Sequence, residues 1–474
     1  MAFLVDTQAY FAAVADALVK ARRSILLLGW SFDPRTRLFP DGYDGPDDPD
    51  EIGRVLVHLA RAKPELDVRL LVWKSALPIA AQQDWFPHKA RQWFKDTPVK
   101  FRLDDKVPFG ACHHQKVLVI DDRLAFCGGG DIAVDRWDTP GHLDGDARRI
   151  MPDQEHHAPR HEVVAMVDGE AAKAFGDLAR ERWARGTGEL LEPPPDAGGD
   201  PWPDHVPPAM VEASVAIART EPGWKTRPMV SEIRKLTLAS IAEARETIYL
   251  ENQYFTSPVV TEALAARLAE PEGPQVVLIS TGQAPSWFDR LTMDRARGAM
   301  IWRLRSADVF GRFRAFWPAT SGGETVIVHS KVSIIDDRLA RVGSANLNNR
   351  SGGFDTEVEL AVECDGAEGR LAIAAFRDRL VGHFMGCTGD SVARARADHG
   401  GLVGAIDALN RENGRLQVIE PPKTTPFGEF ITRNHLGDPQ DTQDSWRPNR
   451  RRERLYEELR AIDAGDPSGG RQLR

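Results

Sequence analysis

The chain has 474 residues, which is enough for two or three domains with complete hydrophobic cores. Its 61 Lys and Arg against 70 Asp and Glu give a formal net charge of −9, and 42% of its residues are hydrophobic. These values exclude a disordered chain and a membrane-embedded one, and they argue against a protein that coats nucleic acid, because counterion release requires a broad basic face.

The N-terminal stretch of residues 1–23 is apolar but is interrupted by Asp6, Asp16 and Lys20. It therefore predicts neither a signal peptide nor a membrane-spanning helix. None of the four cysteines has the C-x-x-C spacing of a zinc site, and four in a chain of this length do not form a disulfide framework. We predict a cytoplasmic protein, peripheral at the membrane, with no metal site and no cofactor.

Four segments then occur twice along the chain, in the same order. The first set comprises 21–32, 68–73, 116–125 (KVLVIDDRLA) and 161–172, and the second comprises 244–255, 276–280, 331–340 (KVSIIDDRLA) and 356–367. Self-similarity of this kind indicates two copies of one structural unit. Each copy alternates apolar strand patterns with helical ones.

This alternation predicts an α/β fold made of two pseudo-twofold-related α/β/α sandwich halves, each with a mixed sheet flanked by helices. The predicted domains are 1–185 (first half), 186–210 (a Pro- and Gly-rich linker), 211–386 (second half) and 387–474 (a C-terminal helix and a polar tail). Within the last region we predict one helix over 391–413.

Each copy carries the pattern His-x-Lys-x-x-x-x-Asp. The pattern comprises His114, Lys116 and Asp121 in the first copy, and His329, Lys331 and Asp336 in the second. Alternate side chains of a strand share a face, so each His and Lys project together while the Asp has the opposite parity. We expect both Asp residues to face away from the chemistry and to accept backbone donors in a tight hairpin.

If the halves pack around a pseudo-twofold axis, two imidazoles and two ammonium groups converge. Such a pocket suits a phosphodiester, because ammonium groups stabilise the growing charge on the non-bridging oxygens. One imidazole then attacks phosphorus and the other protonates the leaving alcohol. A metal is not required, and a metal site here would need more carboxylates near the histidines.

A nucleophilic imidazole also needs an acceptor on its other nitrogen, which fixes the tautomer. Alignment of the copies selects Glu162 and Glu357, which lie 48 and 28 residues after the histidine of their own copy. The first copy therefore carries an insertion near 138–160, and Asp138 within it is a competing candidate.

These residues resemble the phospholipase D superfamily. The segments that carry the resemblance are HHQKVLVIDDRLAFCGGGD (113–131), HSKVSIIDDRLARVGSANLNNRS (329–351), YLENQYF (249–255) and DRWDTPGH (135–142), and the last two resemble the eukaryotic-type branch. The resemblance covers roughly 22–386. It implies a covalent phosphohistidine, water or a second alcohol as acceptor, and unchanged configuration at phosphorus.

By the same resemblance, His114 is the nucleophile and His329 the general acid, although sequence symmetry alone does not order them. Lys116, Lys331 and Asn346 would hold the phosphate, with support from Ser344. The first copy departs from this pattern, because it has Gly129 and Asp131 where the second has Ser344 and Asn346. The eukaryotic-type branch shares this form, so the departure puts in doubt only a phosphate-binding role for Asp131.

The substrate is less well defined by the sequence. Two aromatic pairs follow the second apolar run of each half, Trp85–Phe86 and Trp287–Phe288, and would face lipid headgroups or form local core. The stretch 310–317 (FGRFRAFW) predicts an amphipathic strand or a lipid- or base-binding surface. The basic stretch 447–460 predicts a solvated helix or a contact with anionic lipid.

The leading hypothesis is a monomeric phospholipase D, an internal pseudo-dimer that hydrolyses glycerophospholipids to phosphatidic acid and a free headgroup. The alternatives are a phosphatidyltransferase resembling cardiolipin or phosphatidylserine synthases, and a metal-independent nuclease. A non-catalytic lipid-binding protein is disfavoured, because both His and Lys pairs are intact.

Overall fold

The computed structural model describes residues 1–40, 50–75, 87–196, 198–284, 290–420 and 438–439. The strands are β1 Ala2–Val5, β2 Ser24–Gly29, β3 Asp67–Trp73, β4 Lys100–Asp104, β5 Val117–Ile120, β6 Leu124–Gly128, β7 Arg160–His161, β8 Val163–Asp168, β9 Val215–Glu221, β10 Val230–Ser231, β11 Thr247–Asn252, β12 Gln275–Ile279, β13 Phe313–Pro318, β14 Ile327–Val328, β15 Lys331–Ile335, β16 Leu339–Gly343, β17 Glu357–Glu363 and β18 Leu416–Val418.

The helices pack on both faces of the sheets. They are α1 Thr7–Lys20, α2 Ile52–Ala62, α3 Pro87–Trp93, α4 Gly169–Thr187, α5 Glu232–Glu243, α6 Pro258–Leu268, α7 Arg295–Ala307, α8 Asn349–Gly353, α9 Ala367–Met385, α10 Gly389–Asp398 and α11 Leu402–Asn413, with a π-helical turn at Arg290–Asp294 before α7. Among the described residues, no helix is both long and apolar enough to cross a membrane.

The strands form two large sheets with the same internal order. The first sheet runs β1-β8-β6-β5-β2-β3-β4, and the second runs β10-β9-β17-β16-β15-β11-β12-β13-β18. In each sheet, two parallel pairings at one side (β2 with β3 and β3 with β4; β11 with β12 and β12 with β13) adjoin antiparallel ones. The prediction of two mixed α/β halves is confirmed.

The duplicated IDDR stretch forms the same turn in both halves. Asp121 and Asp122 link β5 to β6 with φ near +54°, and Asp336 and Asp337 link β15 to β16 with almost the same angles. Two consecutive positive φ values belong to a tight hairpin turn, and Asp tolerates this conformation better than most residues. The turn fixes the register of the apolar strands VLVI and KVSII on either side.

Three large clusters make up most of the hydrophobic core of the described residues. One cluster lies on the outer side of the first sheet and includes Phe11 and Leu70, and another on the outer side of the second sheet includes Leu264 and Ile301. Between the sheets, a central cluster combines both halves, and the rings of Phe3 and Phe376 stack there with centroids 3.9 Å apart. Burial of apolar surface therefore holds the two halves face to face.

Two backbone connections cross between the halves close to the duplicated motifs. β7 of the first half pairs in parallel with β14 of the second, so that Val328 lies opposite His161. The backbone N–H of His114 donates to the carbonyl oxygen of Thr356 at 2.9 Å. Each motif histidine is therefore adjacent to the segment that carries the other half's glutamate.

One predicted element differs from the structure. The single helix expected over 391–413 is two helices, α10 and α11, because Gly400 and Gly401 between them adopt φ values of 72° and 112°. A left-handed backbone stops an α-helix, and glycine adopts it without a steric penalty.

Within the stretch 310–317, residues 313–317 belong to β13, in agreement with the predicted strand. The aromatic pairs 85–86 and 287–288 and the basic stretch 447–460 lie outside the described residues.

Candidate active site

The duplicated His and Lys residues lie at the start of equivalent strands, where the two halves meet. His114 and Lys116 immediately precede β5, and His329 and Lys331 stand at the start of β15. All four side chains are nearly buried, with 14% exposure for His114 and 9% for His329. Each lysine Nζ folds back to donate to the carbonyl oxygen of the histidine two residues earlier.

His114 is held by the second half. Its Nδ1 lies 2.9 Å from Oε2 of Glu357 and 3.1 Å from the carbonyl oxygen of Ser344. Both neighbours are acceptors, so the hydrogen resides on Nδ1 and Nε2 keeps its lone pair.

His329 faces the first half reciprocally: its Nδ1 lies 2.8 Å from Oε1 of Glu162, an ion-pair contact without hydrogen-bond geometry. The alignment of the copies identifies the same two glutamates, but the sequence spacing relates each glutamate to the histidine of its own half. In the structure, each glutamate contacts the histidine of the other half.

The two glutamates have different surroundings. Glu357 accepts hydrogen bonds from the hydroxyls of Ser344 and Ser351, at 2.5 and 2.6 Å. Within the part of the chain that the structure describes, no group donates a hydrogen bond to Glu162. Gly129 takes the place of Ser344 on that side, and a Cβ added at Gly129 would lie 3.1 Å from Glu162 Oε2. The duplicated halves are therefore chemically unequal.

Burial shifts the pKa values of several side chains in the site. Burial, together with the charges of Lys116 and Lys331, holds the pKa of His114 well below its usual range. The pKa of His329 is lowered in the same way. Burial also lowers the pKa of Lys331 to about 7 and raises that of Glu357 to about 7. Both imidazoles are thus neutral before an anion arrives.

Asp131 faces the protein rather than the open side of the site. Its carboxylate lies 3.3 Å from Lys116 Nζ and accepts hydrogen bonds from the backbone N–H groups of Trp30 and Ser31. It therefore anchors the segment after β2 and positions Lys116. The doubt that the sequence raises about a phosphate contact by Asp131 agrees with this geometry.

The other residues selected from the sequence are distributed as follows. Asp121 accepts the backbone N–H groups of residues 22–24, and Asp336 those of residues 245–247, so their donors start the neighbouring strands instead of lying within the hairpin. Asp138 contacts neither motif histidine and instead binds His142 Nδ1 at 2.8 Å. Asn346 has a buried carboxamide oxygen with no hydrogen-bond partner among the described residues.

Several residues near the site were given no role from the sequence. Arg136 and Arg160 are buried and act on His329 through their charges. Ser351 supports Glu357, and the Trp30 ring lies 5.9 Å from Lys116 Nζ and 6.4 Å from the His114 ring. Arg136 and Ser351 fall inside the quoted motif segments, which is the signal that could have identified them.

Comparison with known proteins agrees with this architecture. The family model described as "Phospholipase D" matches residues 17–193, and the model described as "Cardiolipin synthase, PLD-like domain" matches residues 237–377. The chain belongs to the phospholipase D superfamily. The two matches fall one on each half of the molecule.

Relatives within the superfamily carry different names. The chain is 25% identical to "Phospholipase D2" of Bos taurus over 76% of its own length and 49% of that protein. It is also 25% identical to "Cardiolipin synthase A" of Erwinia tasmaniensis, over 55% of the chain and 46% of that protein. The chain thus spans about half the length of these relatives.

The fold is also found in a solved superfamily structure. Phosphatidylserine synthase of Haemophilus influenzae aligns over 80% of this chain and 86% of its own, with a TM-score of 0.51 and 14% identity. At that identity the likeness concerns the fold alone. The comparisons place the chain in the superfamily, and they leave its reaction to be argued from the site.

Proposed function

We propose that this chain is a phospholipase D that hydrolyses the distal phosphodiester of glycerophospholipids to phosphatidic acid and a free headgroup. The observation that carries the proposal is the reciprocal pairing of His114 with Glu357 and of His329 with Glu162. This arrangement places a glutamate carboxylate beside Nδ1 of each imidazole. In the described part of the chain, no hydrogen bond engages Nε2 of either ring.

In the first step, Nε2 of His114 attacks phosphorus, and the bond from phosphorus to the headgroup oxygen breaks. His329 donates its Nε2 hydrogen to the departing alkoxide. The arriving anionic phosphate raises the pKa of His329, which allows it to carry that proton. Lys116 and Lys331 stabilise the non-bridging oxygens while negative charge accumulates. Glu357 stabilises the imidazolium character that develops on His114.

In the second step, water attacks the phosphohistidine and His329 Nε2 accepts a proton from it. The nitrogen–phosphorus bond breaks, the electron pair returns to His114, and phosphatidic acid leaves. An alcohol in place of water gives a phosphatidyl-alcohol by the same step. Two in-line displacements leave the configuration at phosphorus unchanged. Asn346 is the further polar group proposed to hold the phosphate, by donating its carboxamide N–H to a phosphate oxygen, with support from Ser344.

The test offers mixed phospholipid vesicles to the purified chain, with and without a primary alcohol, in a brief assay containing chelator. We expect phosphatidic acid without alcohol and a phosphatidyl-alcohol in addition when alcohol is present. Transfer with no hydrolysis would favour a phosphatidyltransferase, as the cardiolipin synthase and phosphatidylserine synthase relatives suggest. Inert lipid beside degraded single-stranded DNA would overturn the proposal in favour of a nuclease.

Replacing Glu357 with glutamine is expected to lower kcat by roughly 10²- to 10⁴-fold, because an amide neither fixes the Nδ1 hydrogen as strongly nor balances the developing imidazolium. Steady-state rates of headgroup release measure the effect. Glu363→Gln is the matched control, since Glu363 ends the same strand with an exposed side chain. Equal rates for the two variants would contradict the role of Glu357.

The pH dependence of kcat/KM is expected to be bell-shaped, with both limbs near neutrality. Glu357 must be ionised to hold His114, and burial raises its pKa to about 7, so activity falls as the pH drops through that value. Lys331 must be protonated to bind phosphate, and burial lowers its pKa to about 7, so activity also falls as the pH rises through it. Rates on a soluble short-chain substrate from about pH 5 to 9 test this, and a flat profile would contradict it.

A further inference from the structure

A second cluster of titratable side chains lies behind the active site, and the proposed reaction does not use it. It brings together Asp6, His142, His161 and His383, each of which can place one ligand atom within 4.8 Å of the others. Asp6 precedes α1, His142 lies between β6 and β7, His161 lies in β7, and His383 lies in α9 of the second half. All four side chains are at most 7% exposed.

Three of these residues converge with the geometry of metal ligands. Nε2 of His142 lies 2.9 Å from Nε2 of His383, which in turn lies 3.4 Å from Oδ2 of Asp6. His142 Nε2 is 3.9 Å from Oδ1 of Asp6. Donor atoms around a tetrahedral ion with bonds of about 2.0–2.1 Å stand about 3.3 Å apart. The ligand atoms of these three residues form a triangle whose sides are close to those that one bound ion requires.

The fourth residue holds this triangle in place. His161 Nδ1 lies 2.8 Å from Asp6 Oδ1, and its Nε2 lies 3.0 Å from Glu251 Oε2. Both ring nitrogens face carboxylates, so neither is available as a ligand. On the other side, Asp138 accepts the Nδ1 hydrogen of His142 and thereby directs the Nε2 lone pair toward His383. In metal sites, a ligating histidine commonly donates its other N–H to a carboxylate, which fixes the orientation of the ring.

One ligand atom of the cluster lacks a hydrogen-bond donor. Asp6 is 1% exposed, and among the described residues no group donates a hydrogen bond to its Oδ2. A buried carboxylate oxygen without a donor is costly, and an ion removes that cost. Asp6 and His142 also adopt positive φ values, 64° and 41°, which are uncommon for residues with a side chain. The backbone is thus strained at two of the three residues.

We propose that Asp6, His142 and His383 bind a divalent transition-metal ion, of which Zn²⁺ suits the two imidazoles and one carboxylate best. This site departs from the prediction that the chain binds no metal. Because His383 comes from the second half and the other two ligands from the first, the ion cross-links the halves. The site has a structural role, and it adjoins the active site at two points. His161 directly precedes Glu162 in the chain, and Ser330, which directly follows His329, donates a hydrogen bond to Glu251.

The first test measures the metal content of the full chain, purified without chelator, by mass spectrometry. We expect about one zinc per chain in the wild type, and a loss of at least about 10-fold in occupancy for Asp6→Asn and for His383→Gln. His58→Gln, at an exposed histidine of α2, should keep the metal. Wild-type protein with less than about 0.1 ion per chain, and with no rise in Tm on adding Zn²⁺, would overturn the proposal.

A second measurement does not depend on variants that fold. Co²⁺ added to metal-stripped wild type should give the visible absorption of a four-coordinate ion, saturating at about one equivalent, with a rise in Tm. Co²⁺ without such a band or rise would also overturn the site.

This outcome is separable from that of the proposed function, which is measured as phosphatidic acid formed before bound metal is lost. A chain that binds zinc but leaves phospholipid intact would contradict the proposed function and support the metal site.

Discussion

The His114→Gln variant is expected to lose headgroup release by at least roughly 10⁴-fold, because it removes the only atom that forms the bond to phosphorus in the proposed reaction. Glutamine has a similar length and can still reach Glu357, so the loss reports chemistry instead of a cavity. The rate is followed as phosphatidic acid formed from vesicles, with folding checked by thermal denaturation. Turnover within 10-fold of the wild type would contradict the mechanism.

The matched control for this variant is His58→Gln, which changes an exposed histidine of α2. Its activity should equal that of the wild type. In addition, wild-type protein mixed with labelled substrate and quenched in alkaline denaturant should carry a base-stable, acid-labile phosphoryl group, as expected of phosphohistidine. The His114→Gln variant should carry none. Label retained on that variant would indicate that His329 is the nucleophile, an assignment that the symmetry of the two sequence copies does not exclude.

The His329→Ala variant is expected to separate the two chemical steps. A substrate with an alkyl headgroup needs a proton on its leaving oxygen, so its hydrolysis should fall by roughly 10³- to 10⁵-fold. A substrate with a nitrophenol leaving group does not need that proton. It should still give a burst of about one equivalent of phenolate, followed by slow turnover, because no base activates the water.

Rapid-mixing absorbance measures this burst, and isolation of the labelled protein identifies the trapped intermediate. Equal losses on the alkyl and nitrophenyl substrates, with no burst, would argue that His329 is not the general acid. The two substrates thus provide an internal control, because a variant that is merely misfolded loses both activities together.

Much of the architecture follows from the order of apolar runs in the sequence. Two identical IDDRLA stretches with matching strands before and after them require two copies of one sheet, and the structure has that order in both halves. The parity of a strand also separates His114 and Lys116 from Asp121. Such features are local, and periodicity encodes them.

The pairing across the halves is not local. Spacing along the chain relates Glu357 to His329, whereas the backbone contact of His114 with Thr356 brings Glu357 to His114. No pattern in one copy specifies how the other copy docks. For the same reason, the cluster of Asp6, His142 and His383 is invisible in the sequence, because its members lie in three distant segments that only tertiary packing brings together.

The exchange of glutamates has a consequence for how the two repeats depend on each other. Each repeat contributes an imidazole to one side of the reaction centre and the carboxylate for the opposite side. Neither repeat therefore contains a complete pair of histidine and glutamate. In a repeat expressed alone, the histidine Nδ1 would lack its glutamate partner. The two repeats therefore depend on each other for activity, and sequence divergence in one repeat is constrained by the chemistry of the other.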